Sequence, residues 1–365
     1  MRQKRLIPFE ITSMDSLGQG VSKLGDKVTF IAKTTVGDKG VAEILAERKG
    51  VTFAKVHELS TPSSRRITPA CIHFNTCPSC HYQQVSYEDE LEFKKENFQK
   101  LFRKLPLPEV QVIGAVRRFE YRNRIQLHYS LKSKLIGMKD QSNRITSIPE
   151  CLIGLPEVKA EIKRLYHQDQ WMKEVPKGQP EGHVEIYWVQ NQIKTSWNRP
   201  YADGGFTQVF EEMNQKLKTI LHEKWILEKS TDLLDLFAGN GNLSNGLNYS
   251  KRLGVDLYSQ VPGPEFINQN IYDDSALNRI QSELKKRDLK VENLLLDPPR
   301  SGLKNLKEWI EILKPKTIAY VSCDPHTLAR DVMAIEGYTI GQAFLIDFFP
   351  STFHFESFII LERKS

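Results

Sequence analysis

Five cysteines occur in this 365-residue chain, and their spacing divides them four to one. Cys71, Cys77 and Cys80 form Cys-x5-Cys-x2-Cys, and Cys151 comes later at a distance. Four soft thiolates suit a metal centre, either a zinc ion or an iron–sulfur cluster, because both accept four of them. Two Cys-x2-Cys pairs would favour zinc, and only one is present. Cys323 stands apart in Val-Ser-Cys-Asp-Pro, just after the apolar run 317–321. A solitary thiol at the end of a strand is a candidate nucleophile. Asp297, in Leu-Asp-Pro-Pro-Arg, lies 26 positions before it and also ends an apolar run. If both runs are strands of one sheet, the two side chains open into one crevice at its carboxyl edge.

A third motif, Asp235-Leu236-Phe237-Ala238-Gly239-Asn240-Gly241-Asn242, succeeds another apolar strand. Glycines at a strand-to-helix turn let the backbone approach a ligand closely. Leu253-Gly254-Val255-Asp256 then ends the next strand on a carboxylate suited to ribose hydroxyls. S-adenosylmethionine and NAD proteins share this device. The rigid Asp297-Pro298-Pro299 turn favours the former, since methyltransferases of this fold place the reacting substrate there.

The elements that must hold these groups can be read from periodicity. Strand-like pieces at 9–12, 27–31 and 51–56, punctuated by Gly18-Gln19-Gly20, Gly25-Asp26 and Gly37–Gly40, predict a small five-stranded barrel of the oligonucleotide-binding type. Residues 61–82 are irregular, as a loop wrapped on a metal would be. An amphipathic helix is expected over 87–105, ended by Pro106 and Pro108. From 110 to 205 the pattern is mostly β, with one helix near 155–167. After Gly204-Gly205 it alternates helix and strand, the signature of a doubly wound α/β sheet. Three domains are therefore expected: a barrel over 1–60, a central metal-holding domain over 61–204, and a cofactor-binding domain over 205–365. Helix 86–105 is free to pack on the last of these.

Composition sets the context. Apolar residues make up 40% and charged residues 26% of the chain, as in globular proteins, and the net charge of +6 suits a polyanionic partner. Neither a signal-peptide core nor a membrane span is visible, so a cytoplasmic protein with no membrane partner is expected. Thiols stay reduced there, which favours metal binding or chemistry over disulfides.

Together the 235–242 and 296–300 motifs, Val321-Ser322-Cys323-Asp324-Pro325-His326-Thr327-Leu328-Ala329-Arg330-Asp331 and His354-Phe355-Glu356-Ser357 resemble those of the RNA uracil-5 methyltransferases. The Cys-x5-Cys-x2-Cys segment resembles the [4Fe–4S] site of the branch acting on 23S ribosomal RNA. Residues 9–59, with Asp15–Val21, resemble that branch's TRAM domain. The resemblance implies a Rossmann-like class I methyltransferase domain, preceded by a TRAM barrel and a central, mostly β iron–sulfur domain. It implies S-adenosylmethionine and a [4Fe–4S] cluster on Cys71, Cys77, Cys80 and Cys151 as cofactors, 23S rRNA as partner, and a monomer. A tRNA uracil-5 methyltransferase, an RNA-binding protein with a degenerate catalytic domain, and a NAD-dependent oxidoreductase are the alternatives.

The implied chemistry explains the residues. Carbon 5 of uracil is a poor nucleophile until the Cys323 thiolate adds to carbon 6. A base must afterwards remove the carbon-5 proton so that the thiolate can leave. The resemblance assigns this to Glu356, whose pKa the neighbouring phenylalanines should raise. It carries over Gln208, Phe237, Asn242, Asp256, Asn270 and Asp297 to the cofactor pocket. Three departures stand out. Phe210 replaces a usual asparagine. Val261-Pro262-Gly263-Pro264 occupies the short interval between Asp256 and Asn270, where relatives have room for a helix. Asp324 replaces a common asparagine, and should raise the thiol pKa unless Arg300 or Arg330 offsets it. RNA contact is expected from Tyr121-Arg122-Asn123-Arg124, Arg65-Arg66, Arg117-Arg118, Lys132 and Lys134, and Phe206 is a candidate to touch the flipped nucleotide.

Overall fold

The computed structural model describes residues 5–24, 27–140, 142–201, 208–258 and 263–364. Gly25-Asp26, Gly204-Gly205, Phe206 and Val261-Pro262 therefore lie outside the described residues. Two compact units emerge. The first comprises Met1–Lys94, Ala115–Glu211 and Phe349–Phe353, and the second Lys95–Gly114, Glu212–Phe348 and His354–Ser365. Among the described residues no helix is long and apolar enough to cross a membrane.

In the first unit, β1 (Leu6–Met14), β2 (Gly20–Leu24), β3 (Lys27–Ala32), β4 (Lys39–Arg48) and β5 (Val51–Thr61) close a barrel in the order β1-β2-β3-β5-β4. Alternation sends Phe9, Ile11, Ile31, Ala42 and Ala54 inward, where they meet Tyr82, Val85 and Phe93. Gly40 is required for closure, because a Cβ there would stand 2.1 Å from the Glu58 carbonyl on β5. After the cysteine loop, Ser86 accepts a hydrogen bond from the Asp89 N–H and starts α1 (Tyr87–Leu101). Next comes β6 (Val110–Ile113), a strand of the second unit. A second antiparallel sheet of the first unit is built from β7 (Arg124–Ser130), β8 (Leu135–Lys139), β9 (Ile145–Ser147), β10 (Glu181–Val189) and β11 (Gln192–Trp197), ordered β11-β10-β7-β8-β9. It packs on α2 (Pro156–Tyr166), which buries Val158, Ile162 and Leu165.

After the short α3 (Gln170–Glu174) of the first unit, the chain re-enters the second unit in α4 (Glu211–Lys224). Its sheet comprises β12 (Asp232–Leu236), β13 (Arg252–Asp256), β14 (Phe266–Asn268), β15 (Val291–Leu296), β16 (Thr317–Ser322), β17 (Tyr338–Ile346) and β18 (Glu356–Arg363), with α5 (Ala276–Lys286), α6 (Leu306–Leu313) and α7 (Pro325–Met333) between strands. The order is β14-β13-β12-β15-β16-β18-β17-β6, parallel from β14 to β16. Strand order reverses between β12 and β15, the place where such sheets bind ligands. β18 is antiparallel to both β16 and β17, so its first residue lies at the edge where the parallel strands end. The described residues around the Pro-Gly-Pro segment, 257–258 and 263–265, form no helix.

Candidate active site and cysteine site

Cys323 comes after β16 and precedes α7. Ser322 on β16 pairs with Ser357 on β18, and the Ser357 hydroxyl donates to the Ser322 carbonyl at 2.9 Å. One step outward on each strand stand Cys323 and Glu356. Register alone brings this thiol and carboxyl to one edge. Burial pushes the Cys323 thiol up to about 12, the Glu356 and Asp297 charges add to the rise, and a hydrogen bond and charge from Arg300 oppose it. Glu356 is buried, and desolvation followed by the Asp297 charge raises it to about 8, against Arg300. Asp324 does not act as expected. Its carboxylate is turned to the start of α7, where it accepts from the His326 and Thr327 N–H groups at 2.9 and 3.3 Å. The helix N-terminus absorbs this charge, and Glu356 supplies the repulsion instead. Arg330 is engaged with Asp331 rather than with the thiol.

That last pair has a purpose the motif did not disclose. Asp331 accepts from the Leu303 N–H at 2.7 Å and the Tyr320 hydroxyl at 2.6 Å, while Arg330 donates to the Ser301 carbonyl at 2.8 Å. Gly302 has φ +66°, and a Cβ there would meet the Asp331 carboxylate at 2.4 Å. The Arg-Asp ending of the cysteine motif thus clamps the loop that carries Arg300. Its signal was the position of this pair on the helix that follows the nucleophile, seven and eight residues beyond Cys323.

Asp235, Asp256 and Asp297 gather at the ends of β12, β13 and β15. Burial lifts Asp297 to about 7, with the Asp235 and Asp256 charges adding to it, and burial also lifts Asp235 to about 7. Asp235 Oδ2 is buried without a hydrogen-bond partner. Gly239 has φ +54° and open space where its Cβ would be, and its N–H donates to Asp256 at 2.9 Å. A carboxylate cluster with an open glycine turn fits a ligand with positive charge and ribose hydroxyls. Phe237 takes φ +64° and lies 5.5 Å from the Tyr272 ring. Asn242 exchanges amide hydrogen bonds with Asn214. Asn270 closes a local turn, donating to Asp273 and accepting from the Tyr272 N–H. Gln208 belongs to the first unit, where its carbonyl accepts from the Asn123 amide.

In the first unit, Cys71, Cys77, Cys80 and Cys151 line one cavity, with Phe74 and Ile153 among its apolar walls. Tight turns shape the loop: the Phe74 N–H donates to the Cys71 carbonyl, and the Cys77 N–H to that of His73. Lys33 of the barrel donates to the Cys77 and Cys80 carbonyls and lies 4.2 Å from the Phe74 ring centre. His73 Nε2 is buried without a hydrogen-bond partner beside the thiols, and the Gln83 amide, buried there too, hydrogen-bonds the Cys80 thiol. Burial pushes Cys80 up to about 12 and Cys151 to about 11, with the Cys77 charge adding to both. Among the described residues, no three His, Cys, Asp or Glu side chains converge as ligands of one ion.

The basic residues expected to meet RNA are mostly committed elsewhere. Tyr121 is buried, donates to the Pro350 carbonyl and stacks on Phe210 at 4.8 Å. Arg124 is buried against Glu185, Arg66 is paired with buried Asp38, and Arg118 reaches Glu90. Such partners appear only once the chain is folded. Lys132 and Lys134 are exposed.

Comparison with known proteins adds a family context. Residues 262–364 match the model of the tRNA (uracil-5-)-methyltransferase family. The 23S rRNA (uracil(1939)-C(5))-methyltransferase RlmD of Shewanella woodyi is 27% identical, covering 98% of this chain and 96% of its own. That of Vibrio vulnificus is 25% identical, covering 97% and 95%. Among solved structures, the tRNA (uracil-54, C5)-methyltransferase of Pyrococcus abyssi, in complex with S-adenosyl-L-homocysteine, superposes with a TM-score of 0.66 at 19% identity, covering 97% of this chain and all of that one.

Proposed function

The chain belongs to the RNA uracil-5 methyltransferase family, and from this premise we propose that it methylates carbon 5 of a uridine in 23S rRNA through a covalent adduct on Cys323. The adjacency of Cys323 and Glu356 at one sheet edge carries the reading. The Cys323 thiolate adds to carbon 6, forming a C–S bond and placing the electron pair of the C5–C6 double bond on carbon 5 and oxygen 4. S-adenosylmethionine, when bound, would supply an electrophilic methyl group to that carbon-5 electron pair, the sulfonium S–CH3 bond breaking to leave a neutral thioether. Glu356 then accepts the carbon-5 proton, the C5–C6 double bond returns, and the C–S bond breaks to release the thiolate. Arg300 acts against burial and the two carboxyl groups, which still hold the Cys323 thiol up at about 12 in the free protein. Asp235, Asp256 and Asp297 offer negative charge to the cofactor, and Phe237, Asn242 and Asn270 complete the residues assigned to it in this unit. Incubation with methyl-labelled cofactor and separated RNA pools tests the assignment. Label is expected in 23S rRNA; label confined to tRNA would move the substrate, and label in neither pool would sink the activity.

The four cysteines would hold a [4Fe–4S] cluster. A largely apolar cavity lined by all four cysteines, with only one Cys-x2-Cys pair among them, supports the cluster reading over zinc. Methylation needs no electron transfer, so the cluster would order the loop, and with the barrel, read as a TRAM domain, serve RNA docking. Anaerobically purified protein is expected to be brown and to contain about four iron and four sulfide per chain. A colourless protein with one zinc would reverse this assignment.

A further inference from the structure

Arg300 hydrogen-bonds the Cys323 thiol, yet it is an exposed residue in a loop. An exposed arginine has many rotamers to lose, so its reach to a fixed target depends on where the backbone launches it. Here the backbone is held on both sides. Pro298 and Pro299 fix φ before it. The Gly302 N–H then donates to the Pro299 carbonyl at 2.8 Å and closes a tight turn across Arg300. From α7, Arg330 donates to the Ser301 carbonyl and Asp331 accepts from the Leu303 N–H.

A second grip comes from the segment that follows β14. The Tyr272 hydroxyl donates to the Gly302 carbonyl at 3.0 Å and accepts from the Ser301 hydroxyl at 2.9 Å. A phenol has one proton to give, so holding both partners fixes these roles. Tyr272 is itself anchored on the cofactor side of the sheet edge. Its N–H donates to the Asn270 side chain at 3.1 Å, and its ring lies 5.5 Å from that of Phe237. It is 48% exposed, so removing the hydroxyl leaves the core intact.

We propose that Tyr272 is a positioning residue for Arg300: its hydroxyl pins the Ser301–Gly302 turn, so that the guanidinium meets the Cys323 thiol and favours the thiolate that attacks carbon 6. The inference rests on the assignment of Cys323 as the nucleophile. It makes a demand that a general structural role would not, because every effect of the Tyr272 hydroxyl on attack must run through Arg300.

The test uses 23S rRNA transcribed with 5-fluorouridine, at saturating S-adenosylmethionine. Fluorine on carbon 5 cannot leave as a proton does, so the bond between Cys323 and carbon 6 persists and is read on a denaturing gel. Tyr272→Phe keeps the ring and loses both bonds. It is expected to form the complex about 10-fold more slowly, the loss associated with a small misplacement. Ser301→Ala loses one bond, and should show a smaller loss in the same direction. Arg300→Gln should slow formation by about 100-fold. Adding Tyr272→Phe to Arg300→Gln should cost nothing further, since the two act in series. Calorimetry with S-adenosylhomocysteine should give Tyr272→Phe the wild-type affinity. Losses that multiply in the double variant, a wild-type rate in Tyr272→Phe, or weakened cofactor binding would overturn the proposal. A complex that still forms in Cys323→Ala would instead overturn the assignment of the nucleophile.

Discussion

Cys323→Ala is expected to abolish both methyl transfer and the denaturation-resistant complex with 5-fluorouridine-substituted RNA. Residual turnover should fall below about one part in 10^4, because groups that act as a unit lose nearly everything when the nucleophile goes. The structure makes the demand specific. The thiol is pushed up to about 12 in the free protein, with only Arg300 opposing burial and two carboxyl groups. Scintillation counting of RNA and a denaturing gel read the two losses separately. A variant that still methylates would remove Cys323 from the mechanism.

Glu356→Gln should produce the opposite picture on the gel. Attack and methylation precede the base, so methylated RNA is expected to remain attached to the protein, while turnover drops by about 10²- to 10⁴-fold. The pH dependence is set by the raised pKa of about 8. Only the carboxylate can accept the proton, so wild-type release of product should quicken as pH rises toward 8 and level off above it. Stability moves the other way. A carboxyl raised from 4.5 to about 8 is bound to its proton longer in the folded chain, which therefore loses stability as pH rises between those values. Glu356→Gln removes that loss, and denaturant unfolding at pH 9 should show a gain on the order of 5 kcal/mol that fades toward pH 5. A variant less stable than wild type at pH 9 would mean the carboxylate is better compensated than its surroundings indicate.

Much of the site was legible because its residues sit at ends of strands. A run such as 317–321 announces a buried strand, and the residues directly after such a run must lie at the sheet edge; Cys323 and Asp297 were placed this way. Glu356 was reached only through its resemblance, since nothing local shows that β18 runs antiparallel between β16 and β17. The fate of charged side chains was the least legible. Arg66, Arg118 and Arg124 read as a basic surface, yet each is engaged by an acidic group distant in sequence. Asp324 misled for a related reason, because a carboxylate before Pro-His-Thr has a helix to cap before it has a thiol to repel. The first helix, expected to run to 105, ends earlier, at Leu101.

The far edge of the catalytic sheet bears on modularity. β6 pairs with β17 across more than two hundred intervening residues, and Phe98, Phe102 and Val110 are buried in the same core as β15 and β16. A fragment begun at residue 205 would keep every proposed reacting group yet present β17 as a bare edge, open to pairing with other chains. It would also lack two phenylalanines, each contributing roughly 2 kcal/mol of burial. The catalytic half is therefore not a cassette that can be exchanged between proteins by a single junction. Any recombination that preserves it must inherit residues 95–114 from the same parent, so the two ends of the gene segment are bound to travel together.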